Sequence, residues 1–247
     1  MKKRTRTVLF IICVFFFLLA APTVVLYSQG YRFDFEKRKI TQTGAFYFKA
    51  SPKSVEVYFD SEHKKTSTIT GSLLIENLLP KTYVIEIKKE GYYSWQKNLP
   101  VAEKQVTEIK NIVLVPENPT FTIVSQKPEI MSSATSSDKS KLVESNEHEI
   151  WILFLKEQTE QPPRKAGDKI FLTRFSEKIG DVFWLTDYYL IFSVGDKIKV
   201  AEIDNRDRIN IVDLAEFKSP KLSWDQNNKR LYIQSEGKIY VAADLLF

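Results

Sequence analysis

The sequence predicts an all-β protein behind an N-terminal transmembrane helix, and three observations carry this prediction. Residues 8–26 form an apolar run without a charged side chain, directly behind a basic tail. After residue 44 the chain consists of short runs in which apolar and polar residues alternate between turn residues, a pattern typical of half-buried strands. From residue 141 onward, a unit of about 40 residues built of such runs occurs three times.

The apolar run Val8–Leu26 is long enough for a membrane span, since a helix needs about 20 apolar residues to cross the hydrocarbon core. A cleaved signal peptide has a shorter apolar core, of about 7–15 residues, and ends in a small-residue cleavage site. Here Ala20–Ala21 are followed by Pro22, and the apolar run continues beyond it. We therefore expect residues 8–28 to form an uncleaved signal-anchor helix, with a cleaved signal peptide as the alternative. Cys13 lies inside the run and is expected to be apolar filler.

Orientation is predicted from the basic residues on both sides of the span. The tail of residues 1–7 carries four of them beside the span, and positive charge favours the cytoplasmic side. Segment 29–43, predicted as a juxtamembrane connector, also carries basic residues, but Asp34 and Glu36 partly balance them. We therefore expect a single-pass protein with a cytoplasmic N-terminus and extracytoplasmic domains after the helix. Aromatic residues of the kind enriched at membrane interfaces follow the span: Tyr27, Tyr31, Phe33 and Phe35.

The excess positive charge of the chain is concentrated at its amino terminus. The formal net charge is +5, four of those charges come from residues 1–7, and no acidic residue precedes Asp34. The remaining 32 basic and 31 acidic residues leave a net charge of +1. We therefore expect no nucleic-acid partner, which would need basic residues concentrated on a binding face. A single cysteine excludes disulfides within the part after the helix, and two histidines without a Cys-x-x-Cys motif offer little material for a transition-metal site.

Residues 44–116 predict a small antiparallel β-sandwich. Alternation in two runs, Val55–Phe59 and Thr82–Lys88, gives each strand one apolar face. The inward side chains are expected to be Val55, Val57, Phe59, Tyr83, Ile85 and Ile87. The polar segment 60–65 is interpreted as a hairpin turn. Two prolines at 116 and 119 indicate a domain boundary.

Three segments of this region resemble the PEGA domain, an immunoglobulin-like β-sandwich of prokaryotic surface proteins. They are Ser51–Asp60, Ile75–Tyr83 and Lys88–Tyr92. In the family, a proline turn leads into a first strand, and an "L-P-x-G-x-Y" segment leads into "K-x-G-Y". This chain departs from the pattern at Lys81, which replaces the usual glycine, and in residues 52–55, which keep only the proline of the name-giving four. The resemblance implies a fold and a cell-surface context for residues 44–116, and no reaction.

Residues 117–247 carry the internal repeat. In each unit a leucine and an isoleucine eight residues apart flank a polar turn: Leu142 and Ile150, Leu190 and Ile198, Leu231 and Ile239. The units resemble blades of TolB-like and WD40-like propellers, for which a period near 40 residues is typical. Closed propellers need about four to eight blades, so three alternatives stay open. The chain is truncated, or residues 119–126 and other strands complete a degenerate blade, or three sheets stack openly against a partner. Lys156–Asp168 is predicted to be a long loop in the first unit.

Five side chains are candidates for chemistry: Asp181, Asp187, Asp225, His63 and His148. Asp225 follows a tryptophan in a repeated turn, where aspartate commonly accepts hydrogen bonds from backbone amides, so a turn role is favoured over a carboxylate cluster. Both histidines lie in polar turns without paired ligands. No G-x-S-x-G elbow, no S-x-x-K motif with its partners and no glycine-rich phosphate loop occurs. The sequence therefore predicts no catalytic, cofactor-binding or metal-binding residue, and no cofactor.

Aromatic residues offer one further binding hypothesis. Tyr92, Tyr93 and Trp95 form a run that suits stacking on sugar rings. Alternation turns part of this run inward, so core packing is favoured for Trp95. The repeated position of Trp184 and Trp224, forty residues apart, predicts core residues as well.

The function predicted from these features is binding or scaffolding in the cell envelope, without catalysis, by a membrane-anchored extracytoplasmic protein. Its partners would be the membrane, through residues 8–28, and an envelope protein or polysaccharide. Two alternatives stay open. One is a propeller-type hydrolase or lyase remnant, and the other is a sensor or assembly subunit that acts through an open blade edge, because unpaired strand edges invite pairing.

Overall fold

The computed structural model describes residues 3–60, 62–66, 69–126, 133–225, 227–242 and 245. Within them, one helix is followed by strands to the end of the chain, which confirms a mostly-β protein behind an N-terminal apolar helix. The chain divides into two compact units. Unit 1 comprises Met1–Tyr47, Leu74–Thr82 and Pro100–Thr107, and unit 2 comprises Phe48–Leu73, Tyr83–Leu99 and Glu108–Phe247. The boundary at residues 116–117 stays a prediction.

Helix α1 runs from Lys3 to Ser28 and none of its described residues is buried. Its side chains are apolar on every side from Val8 to Leu26, as expected of a helix that faces lipid all round. Among the described residues it is the one helix long and apolar enough to cross a membrane. The predicted span of residues 8–28 lies wholly within it.

The predicted juxtamembrane connector contains a hairpin. Strands β1 (Tyr31–Asp34) and β2 (Lys39–Gln42) pair antiparallel in a two-stranded sheet. The turn between them is held by the carboxylate of Asp34, whose Oδ1 accepts 3.0 Å bonds from the backbone N–H groups of Glu36 and Lys37. The connector thus contains a regular hairpin, in which one aspartate satisfies the turn amides.

Seven strands follow in the region of the predicted sandwich: β3 (Gly44–Ser51), β4 (Glu56–Phe59), β5 (Glu62–Lys65), β6 (Ser72–Leu78), β7 (Thr82–Lys88), β8 (Trp95–Pro100) and β9 (Val106–Val113). They form a three-stranded sheet of order β6-β3-β9 and a four-stranded sheet of order β5-β4-β7-β8. The side chains predicted to point inward are all buried: Val55, Val57, Phe59, Tyr83, Ile85 and Ile87.

One interpretation in this region is wrong in its bounds. The polar segment 60–65, expected to be a hairpin turn, contains strand β5, which pairs antiparallel with β4 from Phe59 opposite Glu62 onward. The turn is therefore shorter than the polar segment. β5 lies at the edge of its sheet. Charged side chains suit an edge strand, because they discourage pairing with strands of other chains. The polarity of the segment therefore reflects an edge strand as well as a turn.

Among the described residues of unit 2 that come after β9, eleven strands follow: β10 (Thr122–Val124), β11 (Lys141–Ser145), β12 (Glu149–Phe154), β13 (Lys169–Arg174), β14 (Ile179–Thr186), β15 (Tyr189–Val194), β16 (Lys197–Glu202), β17 (Ile211–Glu216), β18 (Lys221–Asp225), β19 (Arg230–Ser235) and β20 (Lys238–Ala242). Three sheets result, with orders β11-β12-β13, β14-β15-β16-β17 and β10-β20-β19-β18. Each repeat motif is one antiparallel hairpin, namely β11–β12, β15–β16 and β19–β20.

The middle sheet, β14–β17, is buried on both faces. One face packs Phe183, Ile191 and Val200 into a cluster with residues of the third sheet, including Trp224 and Leu231. The opposite face packs Trp184, Leu190 and Phe192 into a cluster with residues of the first sheet. Both tryptophans are core residues, as predicted. Full burial of one large apolar side chain stabilises the fold by about 1.5–3 kcal/mol, so the two clusters on this sheet stabilise unit 2.

Strand β10 lies within residues 119–126 and pairs with β20 as the outermost strand of the third sheet. A segment that precedes all three repeats in sequence therefore supplies a strand to the last of them. Within the described residues the three sheets stay separate, and no closed barrel or propeller is found.

Candidate ligand-binding pocket

A long loop between β12 and β13, residues 155–168, forms one wall of a pocket and is called the insert loop here. Its ends are joined by a hydrogen bond from the Gly167 N–H to the Phe154 carbonyl oxygen (2.7 Å). Farther along, Gln158 and Arg164 exchange two backbone N–H···O bonds, each of 2.9 Å. These cross-links give a segment without strands a fixed path, so its side chains have defined positions.

Arg164 is the most informative side chain of the insert loop. Its guanidinium donates from Nη2 to Asn205 Oδ1 and lies 5.8 Å from the ring centroid of Phe154. Its Nε is buried and has no hydrogen-bond partner within the described residues. A buried donor without an acceptor costs about 1–3 kcal/mol. An acceptor supplied from solution would therefore be favourable at this position.

A second buried polar atom without a partner lies on the same loop. Gln158 donates from Nε2 to the Pro162 carbonyl oxygen (3.2 Å), whereas its Oε1 is buried and has no partner among the described residues. Both Gln158 and Arg164 line one pocket. Gln158 and Arg164 thus each bring to the pocket wall a buried polar atom that has no hydrogen-bond partner in the described part of the chain.

The pocket has a volume of about 40 Å³, which is room for a few water-sized groups. Its walls come from β9, the insert loop, the turn before β15 and the residues around the end of β16. The other charged side chains that line it have partners of opposite charge: Arg206 with Asp204, Lys110 with Glu108, and Glu202 with Lys97. Within the described residues, no carboxylate pairs with Arg164.

The loop after β16 is positioned by a buried lysine from β8. Lys97 has no exposed side-chain surface, and its Nζ lies 2.7 Å from Glu202 Oε1. The same ammonium donates to three backbone carbonyl oxygens of the loop, those of Asp204 (2.7 Å), Arg206 (3.0 Å) and Arg208 (2.6 Å). Charge-assisted bonds of this kind are stronger than neutral ones. One ammonium thereby fixes the backbone that carries one side of the pocket.

Glu202 completes this polar cluster. Its Oε2 accepts a 2.7 Å bond from Trp95 Nε1, and its Oε1 accepts bonds from the Asn210 backbone N–H (2.9 Å) and from Asn210 Nδ2 (2.7 Å). Burial raises the pKa of the Glu202 carboxyl above its usual value, while the Lys97 ammonium opposes that rise. Lys97, Glu202, Trp95 and Asn210, together with the loop carbonyls, are called the Lys97 cluster.

Tyr188 lies on the pocket wall formed by the turn before β15. Its hydroxyl donates to Glu160 Oε2 of the insert loop (2.9 Å). Burial and the neighbouring Glu160 carboxylate raise the pKa of the Tyr188 hydroxyl far above its usual value. The phenol therefore stays protonated and acts as a permanent donor that ties the insert loop to the middle sheet.

The aspartates singled out in the sequence do not form a cluster. Each binds a different backbone amide: Asp181 accepts from Leu222 N–H, Asp187 from Asp138 N–H, and Asp225 from Asn227 and Asn228 N–H. Asp225 thus has the predicted turn role. His148 Nδ1 lies 3.3 Å from the Glu177 carbonyl oxygen, and the side chain of His63 lies outside the described residues. Within the described part of the chain, no group of three or more His, Cys, Asp or Glu residues could hold a metal ion.

Two residues of the aromatic run make internal contacts. Trp95 is a core residue, 2% exposed, as predicted, and its indole N–H binds Glu202. Tyr93 packs partly buried against the core of unit 2, and its hydroxyl donates to the Asp213 carbonyl oxygen (2.8 Å). Tyr93 and Trp95 are thus committed to internal contacts.

Sequence reasoning missed Arg164, Gln158 and the Lys97 cluster. A signal for Lys97 was present, because alternation in Trp95–Pro100 places it between Trp95 and Leu99 on one buried face. A lysine on the inward face of a strand needs a buried partner. No comparable signal marked Arg164, because the sequence pattern of the insert loop predicts only a loop.

Comparison with models of known protein families gives no match, and comparison with curated proteins gives none either.

Proposed function

We propose that this chain is a membrane-anchored, extracytoplasmic binding protein of the cell envelope that carries out no catalysis. Helix α1 supports the anchor, because it is long, apolar and unburied. The two sheets of residues 44–113 support a PEGA-like sandwich, and the three repeat hairpins with their separate sheets support propeller-like units in residues 117–247. The pairing of β10 with β20 favours the alternative in which residues 119–126 complete the last unit.

The binding site in this proposal is the pocket behind the insert loop. The observation that carries it is the Arg164 guanidinium, whose buried Nε lacks an acceptor within the described residues in a pocket where the other lining charges are paired. A guanidinium is suited to bind a carboxylate through parallel N–H···O bonds. The neighbouring Gln158 Oε1 is suited to accept a bond from a hydroxyl group.

The ligand class that fits both open groups is a polyhydroxy carboxylate, such as an acidic sugar. Its carboxylate would accept from Arg164 Nε, and one of its hydroxyls would donate to Gln158 Oε1. The pocket volume of about 40 Å³ admits the carboxylate group, and in this proposal the sugar ring lies at the mouth of the pocket. Acidic sugars occur in envelope polysaccharides, in keeping with the polysaccharide partner expected from the sequence.

Topology is tested by protease treatment of intact cells. The proposal expects the domains after residue 43 to be cleaved while the cells stay intact, and the protein to fractionate with membranes. Protection of these domains in intact cells would contradict the extracytoplasmic assignment.

Ligand binding is tested by titration calorimetry of the full chain in detergent micelles with D-glucuronate, D-glucose and acetate. We expect binding of glucuronate and not of glucose, since glucose has the ring without the carboxylate. Acetate is expected to bind more weakly, because it lacks hydroxyls. Arg164→Gln should abolish glucuronate binding, whereas Lys165→Gln, at the exposed neighbouring position, should retain it.

Equal binding of glucuronate by both variants would show that Arg164 does not hold it, and no binding by the unchanged protein would contradict an acidic sugar as the ligand. Equal binding of acetate and glucuronate would show a simple anion site and would contradict an acidic sugar as the ligand.

A further inference from the structure

We infer that the hairpin of residues 31–42 is a second membrane contact, whose exposed apolar face lies in the headgroup layer of the bilayer that α1 crosses. This hairpin is called the anchor hairpin. The inference rests on the membrane anchor in the proposed function and is independent of the pocket.

The anchor hairpin has two chemically different faces. Phe33 and Ile40 are cross-strand partners, so they share one face, and they are 47% and 60% exposed. Phe35, in the turn, is 81% exposed and packs edge-on against Phe33 with ring centroids 5.0 Å apart. Within the described residues of unit 1, these three large apolar side chains form a continuous uncovered patch. Exposed apolar patches of this kind mark contact with a partner or a membrane.

The opposite face of the anchor hairpin is polar and already occupied. Thr41 is buried and its hydroxyl donates to Glu103 Oε1 at 2.6 Å. Arg32 donates from Nη2 to Asn77 Oδ1 at 2.8 Å, and Lys37 donates from Nζ to a backbone carbonyl oxygen of unit 1 at 2.9 Å. The polar face thus holds the loops of unit 1, which leaves the apolar face directed away from them.

The hairpin is joined to the end of α1 without a flexible linker. Arg32 donates from Nη1 to the Tyr27 carbonyl oxygen (2.8 Å) and its guanidinium stacks 3.5 Å from the Tyr27 ring centroid. Gly30, with a φ of +81°, donates to the same carbonyl oxygen (3.1 Å), the left-handed end typical of helix C-termini. Thr43 N–H then donates to the Gly30 carbonyl oxygen (2.9 Å). The start of β1 and the end of β2 are therefore both held at the helix terminus.

Chain geometry places the apolar face at the bilayer surface. The apolar run Val8–Leu26 is about 28 Å long as a helix, which matches the hydrocarbon core of about 30 Å. From Ser28 the chain can advance only about 10 Å before Tyr31, comparable to the headgroup layer, which is about 5–8 Å thick on each side. A lipid surface is therefore the occupant within reach. Apolar side chains such as phenylalanine bury at the boundary between headgroups and acyl chains, and basic residues such as Lys39 favour anionic headgroups.

The test uses site-directed spin labels on the full chain in vesicles of phosphatidylcholine and phosphatidylglycerol. In a Cys13→Ala background, a nitroxide is placed at Phe33→Cys, Phe35→Cys or Ile40→Cys, with Lys238→Cys, an exposed position at the start of β20, as the aqueous reference. Collisions with oxygen report lipid and collisions with a water-soluble nickel chelate report water. We expect the oxygen-to-nickel ratio at all three hairpin positions to exceed the reference severalfold.

A ratio equal to the reference at Phe33 and Ile40 would overturn the inference, even if Phe35 alone contacted lipid. Circular dichroism checks that each labelled chain keeps its β-structure, and the three high exposures make disruption by the label small. Vesicle flotation distinguishes failure of the membrane anchor from failure of the hairpin contact. A chain that does not float with vesicles lacks the anchor, whereas a floating chain with water-exposed labels contradicts only the hairpin contact.

Discussion

Two lysine–carboxylate pairs in unit 2 have similar N···O distances, but one pair is buried and the other is exposed to solvent. Lys97 Nζ lies 2.7 Å from Glu202, with both side chains at most 4% exposed. Lys197 Nζ lies 3.0 Å from Asp213, with the side chains 52% and 44% exposed. At the exposed pair water replaces a lost partner, whereas in the interior the remaining charge stays desolvated. Solvent exposure, and not the N···O distance, therefore decides how much stability is lost when one partner of a pair is removed.

The largest effect is expected from Lys97→Met. The change leaves the Glu202 carboxylate buried without its cation and removes the donor to three loop carbonyls, so we expect unfolding free energy to fall by about 3–5 kcal/mol. Urea unfolding of the full chain in micelles, followed by tryptophan fluorescence, measures it. Lys197→Met is the matched control and should change stability far less. Equal losses for the two variants would show that burial does not distinguish the pairs.

A comparable effect is expected in the apolar core of the same unit. Leu190 is fully buried in the middle sheet, so Leu190→Ala should cost about 2–5 kcal/mol through lost contacts and the cavity left behind. The same unfolding measurement compares it with Lys97→Met and shows whether one polar cluster holds unit 2 as firmly as the core. Leu155→Ala, at a residue 43% exposed, should cost much less, and a loss as large as that of Leu190→Ala would contradict the assigned core.

An intermediate effect is expected from Tyr189→Phe. The Tyr189 hydroxyl accepts a 3.0 Å bond from the Val113 backbone N–H, and its removal leaves a partly buried donor unpaired at a cost of about 1–3 kcal/mol. Hydrogen exchange at the Val113 amide should become faster. Tyr240→Phe is the control, because its hydroxyl makes no hydrogen bond within the described residues, and unchanged exchange at Val113 in Tyr189→Phe would refute this contact.

The smallest effect is expected at Asp138, whose carboxylate is partly exposed. Burial raises the pKa of Asp138, but hydrogen bonds from Ser136 and Ser140 outweigh it and hold that pKa at about 2. Because an unfolded aspartate has a pKa of about 3.9, the folded carboxylate contributes stability above about pH 4, which is lost as the pH falls towards about 2. Unfolding curves across this range should show a shallower acid dependence in Asp138→Asn, and an unchanged slope would contradict the depressed pKa.

Period-two alternation predicted the strand faces correctly, because side chains on a strand must alternate between core and solvent. It predicted the buried sides of β4 and β7, whereas the core positions of Trp184 and Trp224 were predicted from the forty-residue repeat. It failed at β5, where a polar strand lies at a sheet edge, and it passed over Lys97, although that residue stands at an inward position. Alternation indicates which face of a strand a residue occupies, but it does not indicate which residue of another strand it contacts.

The sequence by itself determined the apolar helix, the β-rich remainder and the repeated hairpins, because each depends on the local order of apolar and polar residues. Only the tertiary structure decided that Lys97 meets Glu202, 105 positions away. It also decided that Arg164 and Gln158, each with a buried polar atom that has no partner among the described residues, line one pocket. It also decided which face of the anchor hairpin stays uncovered. These features depend on contacts between segments distant in sequence, and the cost of burying a charge is set by the atoms that surround it.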